Sequence, residues 1–185
     1  MKPESSRRKF LKQVLLAGPV LLSPNTVLGA ILPKSAQPKV LSFYNANTQE
    51  TLSTVYWERG RYIQSALDKI NFIMRDFRTG GIKPIDTRLI DLLHDLQSKV
   101  GFQTPIRLIS GYRCRKTNDM LRRKGRNTAK NSFHIKGQAA DIYFPGQKLV
   151  KLFKSAASEK AGGVGYYPHS QFIHVDVGPV RYWSS

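Results

Sequence analysis

SFHIKGQAAD, residues 132–141, places His134 and Asp141 on either side of a glycine that permits a tight turn. The small and apolar residues that follow the glycine favour a β-strand over residues 139–144. Further along the chain, side chains alternate between polar and apolar over residues 172–177, which is typical of a strand with one buried face. We therefore expect two strands whose polar faces lie next to a loop histidine.

Two imidazoles and one carboxylate would converge in this arrangement, from His134, Asp141 and His174. Zinc takes nitrogen and oxygen donors in tetrahedral geometry, and a catalytic site keeps one position open for water, so three protein ligands are expected. Any one of these residues alone would more often be a surface group or a hydrogen-bonded core residue. Together, at this spacing, they predict a site for one zinc ion per chain.

The remaining sequence predicts one α+β domain over residues 40–185, with helices packed on an antiparallel sheet. A hairpin is expected from residues 41–46 and 51–57, and a further strand from residues 106–110. Four segments are predicted to be helices: residues 62–77, 86–100, 117–123 and 147–158.

The first thirty residues predict an export signal. Arg7 and Arg8 form a twin-arginine pattern, and a moderately apolar run follows at residues 14–22. This run is too short for a stable membrane span, although a permanent amphipathic anchor is the alternative. We expect the twin-arginine export machinery to deliver the chain to the periplasm, where removal of residues 1–30 would leave a flexible lead at residues 31–39 and no stable membrane span.

Three motifs resemble those of a known family of zinc peptidases. They are Ser-Gly-Tyr-Arg at residues 110–113, Ser-x-His-x-x-Gly-x-Ala-x-Asp at residues 132–141 and His-x-Asp at residues 174–176. The family includes D-Ala-D-Ala carboxypeptidases, lysostaphin-type enzymes and the hedgehog amino-terminal domain, and the chain is most similar to its YcbK-type branch. The resemblance covers the chain from about residue 38 onward. It implies a hedgehog/D-Ala-D-Ala-peptidase-like fold and a murein endopeptidase that hydrolyses peptide cross-links, chiefly 3-3 meso-diaminopimelate links.

The resemblance also implies roles for individual residues. The zinc ligands would be His134, Asp141 and His174. Arg113 would be the cation that polarises the scissile carbonyl, a role that suits a permanently charged guanidinium. Substrate contacts are expected from three further side chains: Tyr112, Arg115 and Ser132.

The general base is left open by the sequence. Many relatives place a glutamate three residues, or a histidine two residues, before the second metal-binding histidine, where this chain has Gln171 and Phe172. Asp176, on the same strand face as His174, is either the base or a partner that orients the ligand imidazole. His169 could reach the site from its rim. A non-catalytic, zinc-containing cell-wall-binding module is therefore the alternative function.

The charge of the chain indicates an anionic partner. Thirty basic and twelve acidic residues give a formal net charge of +18, and residues 31–185 keep 25 minus 11, or +14. Basic clusters at residues 113–116 and 122–126 precede the metal motif, so an anionic polymer is expected near the site. Nucleic acid would satisfy the charge alone, but the export signal and the lack of a helix-turn-helix or zinc-finger pattern argue against it. Peptidoglycan, whose peptide stems carry free carboxylates, is the expected partner.

The single cysteine, Cys114, has no partner for an intramolecular disulfide. Its neighbours Arg113 and Arg115 favour the thiolate, which raises the alternative of a cysteine nucleophile paired with a histidine. The metal motif already explains the site, and no sequence context of a cysteine enzyme accompanies Cys114, so this alternative is disfavoured.

Overall fold

The computed structural model describes residues 37–101, 103–125 and 128–185. All of these residues lie in one compact unit that spans residues Leu32–Ser185. The predicted export signal, most of the predicted lead at residues 31–39 and the cluster residue Arg126 lie outside the described ranges. None of the helices in the described ranges has the length and apolar character that a membrane span requires.

An eight-stranded sheet forms the centre of the described structure. Its strands are β1 (Lys39–Asn45), β2 (Thr51–Glu58), β3 (Arg61–Tyr62), β4 (Ile106–Ser110), β5 (Ala139–Tyr143), β6 (Gly163–Tyr167), β7 (Phe172–Asp176) and β8 (Arg181–Ser184). Their order across the sheet is β3-β2-β1-β4-β5-β7-β6-β8. The predicted hairpin is the β1–β2 pair, and the predicted strands are β4, β5 and β7.

The prediction of an antiparallel sheet is wrong at two places. In the described residues five neighbouring pairs are antiparallel, whereas β1 pairs with β4, and β6 with β8, in parallel. A parallel pair needs a crossover connection rather than a tight turn. Two helices lie in the connection that leads to β4, and β7 lies in the one that leads to β8. The sheet is therefore mixed, and the general α+β class is confirmed.

In the described ranges the four predicted helices are present, together with one turn of 3₁₀ helix. They are α1 (Gln64–Ile73), α2 (Thr87–Val100), α3 (Arg115–Arg123), α4 (Leu149–Ser158) and the 3₁₀ helix Phe133–Lys136. Helix α1 ends four residues before its predicted end because Asp76 organises a turn there: its carboxylate accepts hydrogen bonds from the backbone N–H groups of Arg78 and Cys114. Helix α3 begins earlier than predicted, at Arg115, with Cys114 as its N-cap.

The core lies between the sheet and helices α1, α2 and α4, which pack against it. Apolar residues of α2 recur at helical spacing, and Leu89, Leu93 and Leu96 are fully buried, as are Leu41 and Ile106 from the sheet. Burial of a leucine or isoleucine side chain stabilises a fold by about 1.5–3 kcal/mol. This core fixes the neighbouring strands β5 and β7, on which Asp141 and His174 lie.

Candidate metal centre

His134 lies in the 3₁₀ helix, and the residues around it define its position. The hydroxyl oxygen of Ser132 accepts a hydrogen bond from the His134 backbone N–H at 3.4 Å and so begins the turn. Gly137 ends it with φ of 70°, a left-handed conformation that favours glycine. A Cβ atom at this position would lie 2.5 Å from the Pro84 carbonyl oxygen. Both the conformation and the space therefore require glycine directly after the turn that holds His134.

Asp141 and His174 are directly paired residues of the neighbouring strands β5 and β7. Paired residues of an antiparallel ladder point to the same face of the sheet, so both side chains face His134. His134 Nε2 lies 3.2 Å from Asp141 Oδ1 and 3.2 Å from His174 Nδ1, and the last two atoms are 2.9 Å apart. The structure thus brings together the three residues that the sequence singles out as zinc ligands.

This triangle of donor atoms fits a zinc ion. Three donors about 2.0 Å from one tetrahedral zinc lie roughly 3.3 Å from one another. His134 Nδ1 donates to the Gly111 carbonyl oxygen at 2.7 Å, which leaves the Nε2 lone pair directed at the site. The other nitrogen of His174, Nε2, lies 3.0 Å from Asp176 Oδ2 and donates to it, which leaves Nδ1 for a metal.

Burial and neighbouring charges set the protonation of the ligands. Burial lowers the pKa of His134 to about 4, although Asp141 opposes this, so the ring is neutral as a metal ligand must be. Burial alone would raise the pKa of Asp141, but the adjacent His134 and His174 lower it below its usual range. Burial alone would lower the pKa of His174, but hydrogen bonds with Asp141 and Asp176 raise it.

Asp176 is fully buried, and both of its oxygens accept hydrogen bonds. Besides His174, the donors are the backbone N–H groups of Gly163 and Gly178 at 3.0 and 2.9 Å and the Arg181 guanidinium, whose Nη2 lies 2.6 Å from Oδ2. Burial alone would raise the pKa of Asp176, but these hydrogen bonds outweigh it and lower the pKa. The carboxylate therefore stays ionised and holds the His174 ring.

Arg181 and Trp183 reach this cluster from β8, across the intervening strand β6. They pair with Gly163 and Gly165, respectively. A Cβ atom at Gly163 would lie 2.4 Å from Arg181 Nη1, and one at Gly165 would lie 2.5 Å from Trp183 Cε2. The two missing side chains leave the space through which Arg181 reaches Asp176 and the Trp183 ring comes within 5.3 Å of the His174 ring.

Arg113 lies beside the three ligands. Its backbone N–H donates to the His134 carbonyl oxygen at 3.2 Å. The Nε atom of its half-buried side chain is buried and has no hydrogen-bond partner among the described residues. Burial lowers the pKa of the guanidinium, while the nearby Asp141 carboxylate opposes this. A buried donor without a partner is costly, so Arg113 is held beside the ligands at some cost in stability.

The other predicted site residues are less closely tied to the ligands. Ser132 is buried and caps the 3₁₀ helix, and Tyr112 is half-buried against the core. Arg115 is exposed at the first residue of α3, and His169 is exposed in the turn between β6 and β7. Neither Arg115 nor His169 makes a hydrogen bond or an ion pair with the three ligands in the described structure. Cys114 is likewise not bonded to a histidine there; its sulfur contacts Thr79 and Thr117.

Arg181 and Trp183 were not predicted from the sequence. The sequence does contain a pattern that indicates this arrangement. Gly-x-Gly at residues 163–165 and Arg-x-Trp at residues 181–183 both have the two-residue period of side chains on one strand face. The contact itself depends on the parallel pairing of β6 with β8, which the sequence did not predict.

Comparison with known proteins gives one consistent result. Residues 33–183 match the family described as Peptidoglycan L,D-endopeptidase MepK. The chain is 40% identical over 182 residues to the Peptidoglycan L,D-endopeptidase MepK of Escherichia coli (strain K12), a match that covers 98% of this chain and 99% of that protein. It is also 40% identical over 181 residues to the Probable peptidoglycan L,D-endopeptidase MepK of Haemophilus influenzae, which covers 97% of this chain and 96% of that protein.

Proposed function

Because the chain belongs to the peptidoglycan L,D-endopeptidase MepK family, we propose that it hydrolyses peptide cross-links of peptidoglycan with one zinc ion held by His134, Asp141 and His174. The convergence of these three donor atoms carries the proposal. The names of the relatives specify L,D-endopeptidases, which supports 3-3 meso-diaminopimelate cross-links as the substrate. We further propose that the fold is of the hedgehog/D-Ala-D-Ala-peptidase type.

In the proposed hydrolysis, the zinc ion and the side chains around it have separate roles. A zinc ion at this site would lower the pKa of a bound water to about 7 and would polarise a substrate carbonyl. Arg113 would stabilise negative charge on that carbonyl oxygen, because its permanently charged guanidinium lies near the proposed ligand Asp141. Gly111 fixes the tautomer of His134 through the Nδ1 hydrogen bond. The ligands and Arg113 therefore act on the same carbonyl group.

Asp176 fits the orienting role better than that of general base. A base needs a lone pair directed at the attacking water. The oxygens of Asp176 already accept from His174, Arg181 and two backbone N–H groups. We therefore assign Asp176 to the support of His174 and keep His169 as the candidate for proton transfer. Ser132, Tyr112 and Arg115 stay candidates for substrate contact.

We place this reaction in the periplasm, after export by the twin-arginine pathway. The support is the Arg7-Arg8 pattern followed by an apolar run in the sequence. Peptidoglycan as substrate agrees with this location, because a cell-wall polymer lies outside the cytoplasm.

The test is digestion of purified peptidoglycan by the purified protein, once with added zinc and once with a chelator. Muropeptides released into solution are identified by mass spectrometry. Zinc-dependent conversion of cross-linked dimers to monomers is expected, and the fragments identify the bond. Stoichiometric zinc binding without any conversion would contradict the proposal and favour the cell-wall-binding module.

Two variants distinguish residues that bind the metal from residues that only raise the rate of cleavage. His134→Ala should lose bound zinc and activity together, because it removes a donor atom. Arg113→Ala should keep one zinc per chain while kcat falls about 10²–10³-fold, the loss typical for removal of one oxyanion-stabilising donor. Zinc content by atomic emission and turnover of cross-linked dimers are measured side by side. Full activity of metal-free His134→Ala protein would rule out the mechanism.

A further inference from the structure

Tyr167 ends strand β6 on the sheet face that carries the metal ligands. Gly165 pairs with His174, and Tyr167 pairs with Phe172, across the β6–β7 ladder. Residues two apart on a strand share a face, so Tyr167 lies on the same face as His174. Its ring stacks on that of Phe172 with 4.7 Å between the ring centroids. This stacking places Tyr167 at the rim of the metal centre.

The Tyr167 hydroxyl has a hydrogen that its protein contact does not use. The hydroxyl oxygen lies 2.9 Å from Trp183 Nε1. An indole N–H can only donate, so the tyrosine oxygen is the acceptor in this pair. No second hydrogen bond of this hydroxyl is present in the described residues. Because the Trp183 ring lies beside the His174 ring, the free hydroxyl hydrogen is held close to the metal ligands.

Arg113 lies near the Tyr167 hydroxyl but cannot accept its hydrogen. Tyr167 lies close enough to Arg113 to influence the pKa of its guanidinium. A guanidinium has no acceptor atom, so Tyr167 cannot donate to it. The buried Nε of Arg113 has no partner in the described structure either. The Tyr167 hydroxyl hydrogen therefore lies without an acceptor beside Arg113, at the edge of the metal centre, and an oxygen of a bound ligand would accept it.

We propose that Tyr167 donates its hydroxyl hydrogen to the same substrate carbonyl oxygen that Arg113 stabilises. The inference rests on the proposed endopeptidase function and adds a substrate-binding residue to that site. Negative charge grows on this oxygen as the peptide bond is attacked, so the hydrogen bond strengthens towards the transition state. Trp183 is a positioning residue here, because its N–H occupies the acceptor side of the phenol and leaves the O–H for the substrate.

Tyr167→Phe tests the proposal because it removes the hydroxyl and keeps the ring that stacks on Phe172. The matched control is Tyr166→Phe, whose ring lies on the opposite face against Phe153. With purified cross-linked dimers as substrate, kcat/KM of Tyr167→Phe should fall about 10- to 100-fold, while Tyr166→Phe stays near wild type. Unchanged cleavage by Tyr167→Phe would overturn the proposal.

Zinc affinity distinguishes a direct substrate contact of Tyr167 from indirect support of the metal ligands. Measured by competition with a chromophoric chelator, the affinity should be the same in Tyr167→Phe and wild type. A loss of zinc affinity that matches the loss of cleavage would mean that Tyr167 only supports His174 through Trp183, and would overturn the proposal.

Binding of the disaccharide-tripeptide product is measured by calorimetry, since its terminal carboxylate replaces the scissile carbonyl. Tyr167→Phe should bind it about 3- to 10-fold more weakly. Wild-type protein that binds this product without cleaving dimers would contradict the endopeptidase function alone, and weaker binding by Tyr167→Phe would still support the donor. Equal binding by both proteins would overturn it.

Discussion

His174 is held from both sides of its ring. Nδ1 faces Asp141 and the proposed metal site, and Nε2 donates to Asp176, which in turn accepts two hydrogen bonds from the Arg181 guanidinium. Residues beyond the ligands therefore determine how this ring presents its lone pair. Such outer partners typically change metal affinity 10–100-fold when they are altered.

Asp176→Asn tests the orienting role. The variant keeps the size of the side chain but loses the charge, so zinc affinity should fall about 10- to 100-fold. At saturating zinc, most of the wild-type turnover should return. Zinc affinity is measured by chelator competition, and turnover is measured with cross-linked dimers over a range of zinc concentrations. Asp68→Asn, an exposed carboxylate on α1, is the control. Normal zinc affinity with turnover abolished would instead identify Asp176 as the general base.

At the level of single residues, the sequence was sufficient to predict that three candidate ligands lie together, and insufficient for the residues that support them. His134, Asp141 and His174 can be recognised as candidates because their spacing and residue types match the donors that zinc prefers. Arg181 and Trp183 cannot, because they act across a strand whose neighbours depend on the whole sheet. The assignment of Asp176 was open for the same reason, since its partners Gly163 and Arg181 come from two other strands.

Asp86, at the start of helix α2, forms hydrogen bonds with Gly137 and Gln138, which follow His134 in the chain. The Asp86 carboxylate caps the helix by accepting from the Arg88 backbone N–H, and it also accepts from the side chains of Arg88 and Gln138. The Asp86 backbone N–H donates to the Gly137 carbonyl oxygen at 3.0 Å. The hydrogen bonds of Arg88, partly opposed by burial, lower the pKa of Asp86 to about 2.

Asp86→Asn should lower the free energy of unfolding by about 1 kcal/mol at pH 7, because the neutral amide keeps the cap but loses the interactions of the charge. The folded pKa of about 2 lies below the unfolded value of about 3.9. The stabilisation is therefore complete above pH ~4 and disappears as the pH falls towards about 2. Urea denaturation at several pH values measures this. A difference between wild type and variant that does not change with pH would contradict the assignment.

Gly165→Ala tests whether the missing side chain at Gly165 leaves the space that the Trp183 ring occupies. The added methyl group would lie 2.5 Å from Trp183 Cε2, so the ring must move, and the fold should lose about 1–3 kcal/mol of stability. In a Trp183→Ala background the same change should cost much less, because the methyl group then meets open space. The four proteins of this double-mutant cycle are compared by urea denaturation. Equal costs in both backgrounds would show that the two side chains do not compete for this space.

At the level of elements, local periodicity explains what was predictable. The helices and the β1–β2 hairpin were predicted from the spacing of apolar residues and from turn residues, both of which are local. The two parallel pairs were not, because strand order depends on contacts between distant segments. The early end of α1 was also missed, since the turn at Asp76 is completed by the backbone of Cys114, far along the chain.

The molecule as a whole is strongly basic, with a formal net charge of +18. Helix α3 and the turn after it, which follow Arg113 in the chain, carry a concentration of exposed basic side chains: Arg115, Lys116, Arg122, Arg123 and Lys124. Attraction between exposed charges is screened within about 10 Å at 0.1 M salt. The basic surface should therefore contribute to binding of an anionic polymer mainly at low ionic strength.

Binding to purified peptidoglycan should weaken steadily as sodium chloride is added, because salt screens the basic surface. The double variant Arg122→Gln with Arg123→Gln should bind more weakly at low salt and show a shallower dependence on salt. Co-sedimentation with peptidoglycan measures the bound fraction for both proteins. Binding that does not respond to salt, or that responds equally in both proteins, would contradict a role for α3.

The parallel strand β8 also has a consequence for the order of events during synthesis. Asp176 and His174 emerge from the ribosome before Arg181 and Trp183, which complete their surroundings. Until β8 has left the exit tunnel and joined β6, the carboxylate behind His174 lacks its guanidinium partner. Binding of the metal should therefore depend on the pairing of β8 with β6, so a chain truncated after β7 would bind zinc more weakly than the full chain.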